Sequence, residues 1–357
     1  MKLNFVEGIN LALEHSLSIH EKVLVFGLGV NDPGRVFGST TNLLEKFGKK
    51  RVFEIPLSEN AVTGMALGLA LNGYRPVMIH QRADFAFTAA EQIINQIAKT
   101  SYTTAGVYEV PLVIRMLVGR GWGQGPTHSQ APHGIYAQIP GLRVIMPSTP
   151  SDGYHLLKEA IDTNQPTIFI EHRWLHGLTE DFEIEPKEKT YPKVRTLARG
   201  KDLTIISVSY GAIEALKISQ IFKSIGINVE VLSVVSLQPL EMQVIYESVA
   251  LSKKVVILDV SHLEYGITAE LSRKIYTNHF NNLKAPILSF GLDFLPTPSS
   301  PLLSLKHYPS IKNMALSINK HFAFNIDENV LLKEIKRIDR NGSKLGDQPE
   351  FGSVGPF

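Results

Sequence analysis

Short apolar runs and segments of helical period take turns along almost the whole chain, and this alternation constrains the fold more than any other feature. The runs "KVLVFGLGV" (22–30), "GYRPVMIHQ" (73–81), "VPLVIRMLV" (110–118), "LRVIMPS" (142–148) and "PTIFIEH" (166–172) read as buried strands. Segments 60–71, 88–101 and 150–163 read as helices between them, and "AAEQIINQIAKTSY" sets Ile93, Ile94 and Ile97 on one helical stripe. Strand and helix in regular alternation predict an α/β fold, a mostly parallel sheet with helices on both faces. From 178 to 200 the sequence turns charged, carries two prolines and loses its period, as an interdomain linker would. A second α/β pattern follows. "DLTIISVSYGAIEALKISQIFKSIGINVEVLSVV" reads as a βαβ unit, and "KVVILDVS" (254–261) and "APILSFGL" (285–292) add strands. The expected division is a domain over 1–180, a linker over 181–200, a domain over 201–330 and a loosely attached tail over 331–357.

Composition narrows the function classes. A chain of 357 residues that is 44% hydrophobic is long enough for two domains with substantial cores. Thirty-six basic residues against 34 acidic ones, with no long basic run, do not make nucleic acid the default partner. The absence of cysteine removes disulfides, thiolate metal sites and cysteine nucleophiles, and fits a reducing cytoplasm. No zinc-type histidine cluster stands out. Near the start, Phe5, Ile9 and Leu13 recur on one face, with Glu7 and Glu14 inside the pattern; this is an amphipathic helix and not a signal peptide. The weakly polar stretch from Asn60 to Tyr74 is too short and too glycine-rich to span a bilayer, so no membrane association is expected.

Two places carry chemistry. In "IPLSENAVTG", Glu59 stands at a strand-to-helix corner. Ser58 is a candidate N-cap, and an acid in a first helical turn interacts favourably with the helix dipole, so the position suits a structural role as well as a functional one. Gly64 and Gly68, one turn apart, let another helix approach closely, within the chain or from a partner. In "GPTHSQ", His128 follows Gly119, Gly121, Gly123 and Gly125, which suggests a mobile segment beside a site.

Several motifs then align in one order. "GVNDPGRVFGSTTNLLEKFGKKRVFEIPLSENAVTGMALGLALNGYRPV", "FAFTAAEQIINQIAK", "PTHSQAPHGIYAQIPGLRVIMPSTPSDGYHLLKEAI", "NQPTIFIEHRWLHG" and "GKDLTIISVSYGAIEALK" resemble the beta subunit of thiamine-diphosphate-dependent 2-oxoacid dehydrogenases. These are the decarboxylating components of the pyruvate and branched-chain complexes, and the resemblance covers roughly residues 3–325. It implies two doubly wound domains, an N-terminal pyrimidine-binding transketolase-like domain and a C-terminal transketolase C-terminal-like domain. It implies that Glu59 hydrogen-bonds N1′ of the cofactor's aminopyrimidine, as a buried acid whose pKa desolvation raises. By the same resemblance Phe85 packs on that ring, Leu57 and Gln81 line its pocket, and His128 lies at the mouth near the substrate. His133 fits the pattern less clearly and is read as structural or as a residue behind those that touch the cofactor. The carbonyls of Leu112, Ala160, Ile161, Thr163 and Gln165 match a potassium-binding turn.

The chain lacks the Gly-Asp-Gly motif that holds Mg²⁺ and the diphosphate, so the resemblance implies an alpha subunit for that half of the site, in an α2β2 assembly. The implied reaction is oxidative decarboxylation of a 2-oxoacid with acyl transfer to lipoamide, with a lipoyl-bearing acyltransferase as further partner. A decarboxylase or transketolase-like pair outside such a complex, and a non-catalytic stabilising subunit, are the alternatives. The sequence departs from the family pattern at Leu28, where an acid is usual, in "LSVVSLQPLE" and "DVSHLEYG" of the second domain, and at His176, where a tyrosine is usual.

Overall fold

The computed structural model describes residues 1–184 and 191–339. In chain order its strands are β1 (Lys2–Asn4), β2 (Val23–Gly27), β3 (Val52–Glu54), β4 (Arg75–His80), β5 (Val113–Val118), β6 (Arg143–Ile145), β7 (Thr167–His172), β8 (Thr179–Asp181), β9 (Val194–Ala198), β10 (Leu203–Ser207), β11 (Val229–Val234), β12 (Ser236–Gln238), β13 (Val255–His262) and β14 (Leu288–Leu292). Seven of them form one sheet in the order β12-β6-β7-β5-β4-β2-β3, and five form a second in the order β14-β13-β10-β11-β9. All neighbours are parallel except the edge strands β12 and β9. Strands β2, β5 and β7 are buried along their whole length. That is why their sequences run apolar without alternation: helices cover both faces of a parallel sheet.

On one face the helices Phe5–Ile19 and Pro150–Asp162 pack together, each opened by a capping box, Asn4 with Glu7 and Thr149 with Asp152. A Cβ on Gly8 would lie 2.9 Å from the carbonyl oxygen of Pro150, so this approach requires glycine. On the other face the helix Glu59–Leu71 buries Val62, Thr63, Ala66 and Ala70. A Cβ on Gly64 would meet Gln92 of the same chain at 3.1 Å, whereas Gly68 faces open space.

The expected strands and the helices over 60–71 and 150–163 are present, with shifted ends. Segment 88–101 is no single α-helix. A 3₁₀ segment (Ala83–Ala89), a π turn (Gln92–Ile97) and a short α turn (Thr100–Thr103) take its place, with Ile93 and Ile97 buried and Ile94 half-buried. The stretch read as linker is largely built into structure: β8 pairs with β1, and β9 closes the second sheet. Residues 185–190 of it lie outside the described residues. The stretch read as tail begins within a helix, Glu328–Ile338, whose Leu331 and Ile335 join the core of the second sheet, while 340–357 lie outside the described residues. One apolar cluster runs through both halves, from Ile168 to Val194, Ile206 and Leu232.

Between β5 and β7 lies a fully buried ion pair. Arg115 Nη2 donates to Glu171 Oε2 at 2.9 Å, Nε donates to Oε1, and His176 Nε2 stands 3.5 Å from Oε2. Burial by itself would raise the Glu171 pKa, but Arg115 and His176 outweigh it and hold the carboxyl below its ordinary value. Burial also drives His176 down to about 4, so it is neutral at pH 7. His176, one of the departures from the family pattern, thus sits at a packing site, stacked on Phe5 at 5.9 Å. Replacing Glu171 by Leu strands the Arg115 charge and is expected to cost about 3–5 kcal/mol in urea unfolding, with much of that regained in the Arg115→Met/Glu171→Leu double variant. Because the folded pKa is depressed, the contribution of Glu171 is full above its unfolded pKa and fades as pH falls through the folded value. Wild type should therefore lose stability toward acid more steeply than Glu171→Leu.

Candidate active site

Parallel strands end on one rim, and in open α/β sheets ligands bind outside those carboxyl ends. From that rim project the turns after β2, β3, β4, β5 and β7, and with them the five residues expected to hold or work on the cofactor.

After β3 the chain turns through Pro56 and Leu57 into the helix that begins at Glu59. Ser58 occupies the N-cap position without a side-chain capping bond, so the acid of the first turn is the anionic group at that helix end. Within this chain Glu59 is half-buried: Ser58 and Asn60 beside it are exposed, and the helix begins at the surface of the chain. None of the hydrogen bonds or ion pairs among the described residues uses its carboxylate. Leu57 is 74% exposed.

The corner is tied to the turn after β4. Asn60 Nδ2 donates to Thr88 O at 3.3 Å, Gln92 Nε2 donates to Asn60 Oδ1 at 3.3 Å, and Thr88 Oγ1 donates to Phe85 O at 2.8 Å. Phe85 is half-buried and meets the His128 ring edge-on, with centroids 5.4 Å apart and an interplanar angle of 89°. His128 Nδ1 lies 3.0 Å from Thr127 Oγ1. Gln81 reaches over Gly29 so closely that a Cβ there would stand 1.8 Å from its Nε2, and Gly29 also has φ of +78°. Glu54 pins this turn, accepting from the Gly29 and Asn31 amides at 2.6 and 3.0 Å. Leu28 packs, partly buried, on the apolar core. The structure therefore gathers Glu59, Gln81, Phe85 and His128 at one rim and leaves Leu57 pointing out.

The potassium-type residues Leu112, Ala160, Ile161, Thr163 and Gln165 lie at the other end of the sheet, where an arginine shares their turn. Arg75 Nη1 already donates to the carbonyls of Ile161 and Thr163 at 2.8 and 3.0 Å, and its Nη2 to Asn164 Oδ1 at 2.7 Å. The Leu112 carbonyl accepts from the Thr167 amide at 2.8 Å. The Arg75 guanidinium thus places a positive charge at this turn. Among the described residues there is no group of three or more His, Asp or Glu able to hold a metal ion.

Sequence reasoning missed a charged layer beneath the rim. Asp84 accepts from Gln130 through the backbone amide at 3.3 Å and the side chain at 2.8 Å; burial, the largest influence, raises its pKa. Arg82 is 3% exposed, has no hydrogen bond at Nη1 or Nη2 among the described residues, and is pushed down to about 10 by burial. His172 accepts from the Trp174 amide at 3.2 Å and stacks on Tyr210 at 5.1 Å; burial, with Arg120 and Arg82 near, keeps it neutral. Arg120 lies over the rings of Trp174 and Tyr308 at 4.3 and 4.4 Å and pairs with Glu214 at 3.1 Å. The sequence signal for this layer was the charged "QRAD" directly after an apolar strand.

This geometry has relatives. Residues 1–177 match the transketolase pyrimidine-binding domain and residues 192–312 the transketolase C-terminal domain. The chain is 35% identical over 292 residues to "Pyruvate dehydrogenase E1 component subunit beta" of Staphylococcus epidermidis, covering 80% of this chain and 88% of that one. It is 32% identical over 304 residues to "2-oxoisovalerate dehydrogenase subunit beta" of Bacillus subtilis, covering 84% and 93%. A solved structure titled "Split gene transketolase, inactive beta4 tetramer" superposes with a TM-score of 0.71 at 18% identity, covering 90% of this chain and 98% of that one, and supports the two-domain transketolase fold. The chain belongs to the beta-subunit family of the pyruvate and 2-oxoisovalerate dehydrogenase E1 components.

Proposed function

We propose that this protein is the beta subunit of a thiamine-diphosphate-dependent 2-oxoacid dehydrogenase, decarboxylating a 2-oxoacid and passing the acyl group to lipoamide. The observation that carries the reading is the convergence, at one rim, of a Glu59 carboxylate with no partner among the described residues, the half-buried ring of Phe85 and the imidazole of His128. These groups fit an aminopyrimidine: an acid for a ring nitrogen, an aromatic face for the ring, and a titratable group at the mouth. The names of the relatives point the same way, and neither a C–C bond-forming pair nor a non-catalytic subunit gains support from them.

Thiamine diphosphate, when bound, supplies a carbanion at its thiazolium carbon, which no side chain can provide. The work left to this chain is proton placement and orientation. Glu59 holds a proton against the pyrimidine nitrogen. An alpha subunit closing over the exposed Leu57 corner would shield Glu59 from water. Phe85 fixes the ring plane, with Gln81 beside it braced over Gly29. His128 hydrogen-bonds the substrate carboxylate or moves a proton near pH 7. The missing Gly-Asp-Gly motif assigns Mg²⁺ and the diphosphate to the alpha subunit in an α2β2 assembly. A lipoyl-bearing acyltransferase is the proposed further partner. A cytoplasmic setting is proposed from the same family reading and the cysteine-free sequence; among the described residues no helix is long and apolar enough to cross a membrane.

The test is to co-purify the chain with its alpha partner and measure CO₂ release from pyruvate and branched 2-oxoacids. Glu59→Gln should lower kcat by at least about 10²-fold, within the range for losing a positioned acid, while the α2β2 assembly persists in sedimentation. An unchanged rate would refute the role of Glu59. Phe85→Ala should weaken thiamine diphosphate binding in titration calorimetry by roughly 2- to 12-fold, the equivalent of about 0.5–1.5 kcal/mol for a lost ring contact.

A further inference from the structure

The loop that carries His128 is fastened mainly by the second domain. Within the first domain, Asp84 holds Gln130, and Arg173 backs the start of the loop, where a Cβ on Gly119 would lie 3.1 Å from the Arg173 Cβ. Arg173 also lies over the Trp122 ring at 5.6 Å, and Phe85 meets His128 itself. Other fastenings cross the interface. His133 Nε2 lies 3.0 and 3.1 Å from the two carboxylate oxygens of Asp259, and both side chains are fully buried. Ser261 Oγ donates to Ala131 O at 2.9 Å. Gly134 packs on the Tyr265–Gly266 backbone, and Gly123 and Gly125 lie so close to Ser299 that a Cβ at 125 would stand 2.2 Å from its Oγ. Asp259 is itself fixed, since its Oδ1 accepts from the Val260 amide at 2.7 Å.

The glycine run explains why outside fastening is needed. Gly119, Gly121, Gly123 and Gly125 all have positive φ, as does Trp122 at +55°. Such a backbone has many alternative conformations and little intrinsic preference for this one. The contact between His128 and Phe85 therefore depends on what clamps the loop on either side. Of the clamps after His128, the His133–Asp259 pair is the only one among the described residues in which both partners are fully buried side chains.

We propose that Asp259, acting through His133, is a positioning residue for His128, so that the second domain sets the geometry of an active site to which it contributes no contacting group. This rests on the catalytic reading of His128 given above. Asp259 touches neither Glu59 nor Phe85, so its loss should leave cofactor binding intact while displacing the imidazole. A displacement of about 1 Å is enough to lower a rate by on the order of 10²-fold.

The experiment uses the α2β2 holoenzyme. Asp259→Ala should lower kcat by on the order of 10²-fold, leave the thiamine diphosphate Kd within about threefold, and speed amide hydrogen exchange across 119–131. Asp259→Asn, which keeps an acceptor for the His133 N–H, should restore the slow exchange and most of kcat. In a His128→Ala background, Asp259→Ala should lower kcat no further, because one residue acts through the other. The proposal is overturned if the two kcat losses multiply, if exchange over 119–131 stays at wild-type rates in Asp259→Ala, or if exchange rises equally across the whole second domain. Should Asp259→Ala fail to fold, Ser261→Ala removes the adjacent clamp alone and must produce a smaller change of the same pattern. The exchange readout needs no turnover, so it decides the clamp even if the pair decarboxylates no 2-oxoacid, an outcome that would sink the functional reading instead.

Discussion

Everything in this protein depends on strands that run the same way and are buried on both faces. A parallel sheet has all its strand ends at one rim, and the crossover connections place helices above and below it. The register of β5 against β7, with Arg115 and Glu171 locked between them, fixes where Gly119 and His172 emerge. The register of β2 against β4 and β3 does the same for Gly29, Gln81 and Glu54. Site residues far apart in sequence meet because the sheet gives them no other place to emerge.

The rim as seen in this chain is polar, cation-rich and only half enclosed. Arg82, Arg120 and Arg173 surround a neutral His172, with Asp84 and Glu214 as the nearby acids. Arg120 compensates part of its burial by lying over aromatic rings, which attract a cation through their quadrupole. One side of the rim remains open at Leu57 and Glu59, and the proposed alpha subunit would close over it.

Much of this was legible in the sequence, for identifiable reasons. Long apolar runs such as "VIRMLV" announce central parallel strands because both faces are covered, and the capped, periodic helix 150–162 announces itself through Thr149, Pro150 and Asp152. What escaped was either short or nonlocal. β3 has three residues, too few for a period, and β9 hides in a charged stretch because an edge strand exposes one side to water. The 88–101 segment has helical apolar spacing at Ile93 and Ile97, yet tertiary packing bends it through 3₁₀ and π turns. At the site, motif matching located Glu59, Phe85 and His128, but how far Glu59 is covered is a property of tertiary packing that spacing does not encode. The potassium turn shows the same limit. Carbonyl ligands leave no side-chain trace, and Arg75, which donates to two of these carbonyls, lies far upstream in "GYRPV".

The exchange of β12 has a consequence for how the molecule comes into being. Ser236–Gln238 follows β11 of the second sheet, yet it pairs antiparallel with β6 and seals the end of the first. During synthesis, the first half reaches residue 180 with the β6 border still offering unpaired amides and carbonyls, and such a border is a template for association with other chains. The nascent N-terminal half therefore has a sticky flank until some sixty further residues emerge, roughly 3–12 s at ordinary ribosomal speed. The two lobes are one folding unit, and severing the chain between them would yield fragments inclined to aggregate.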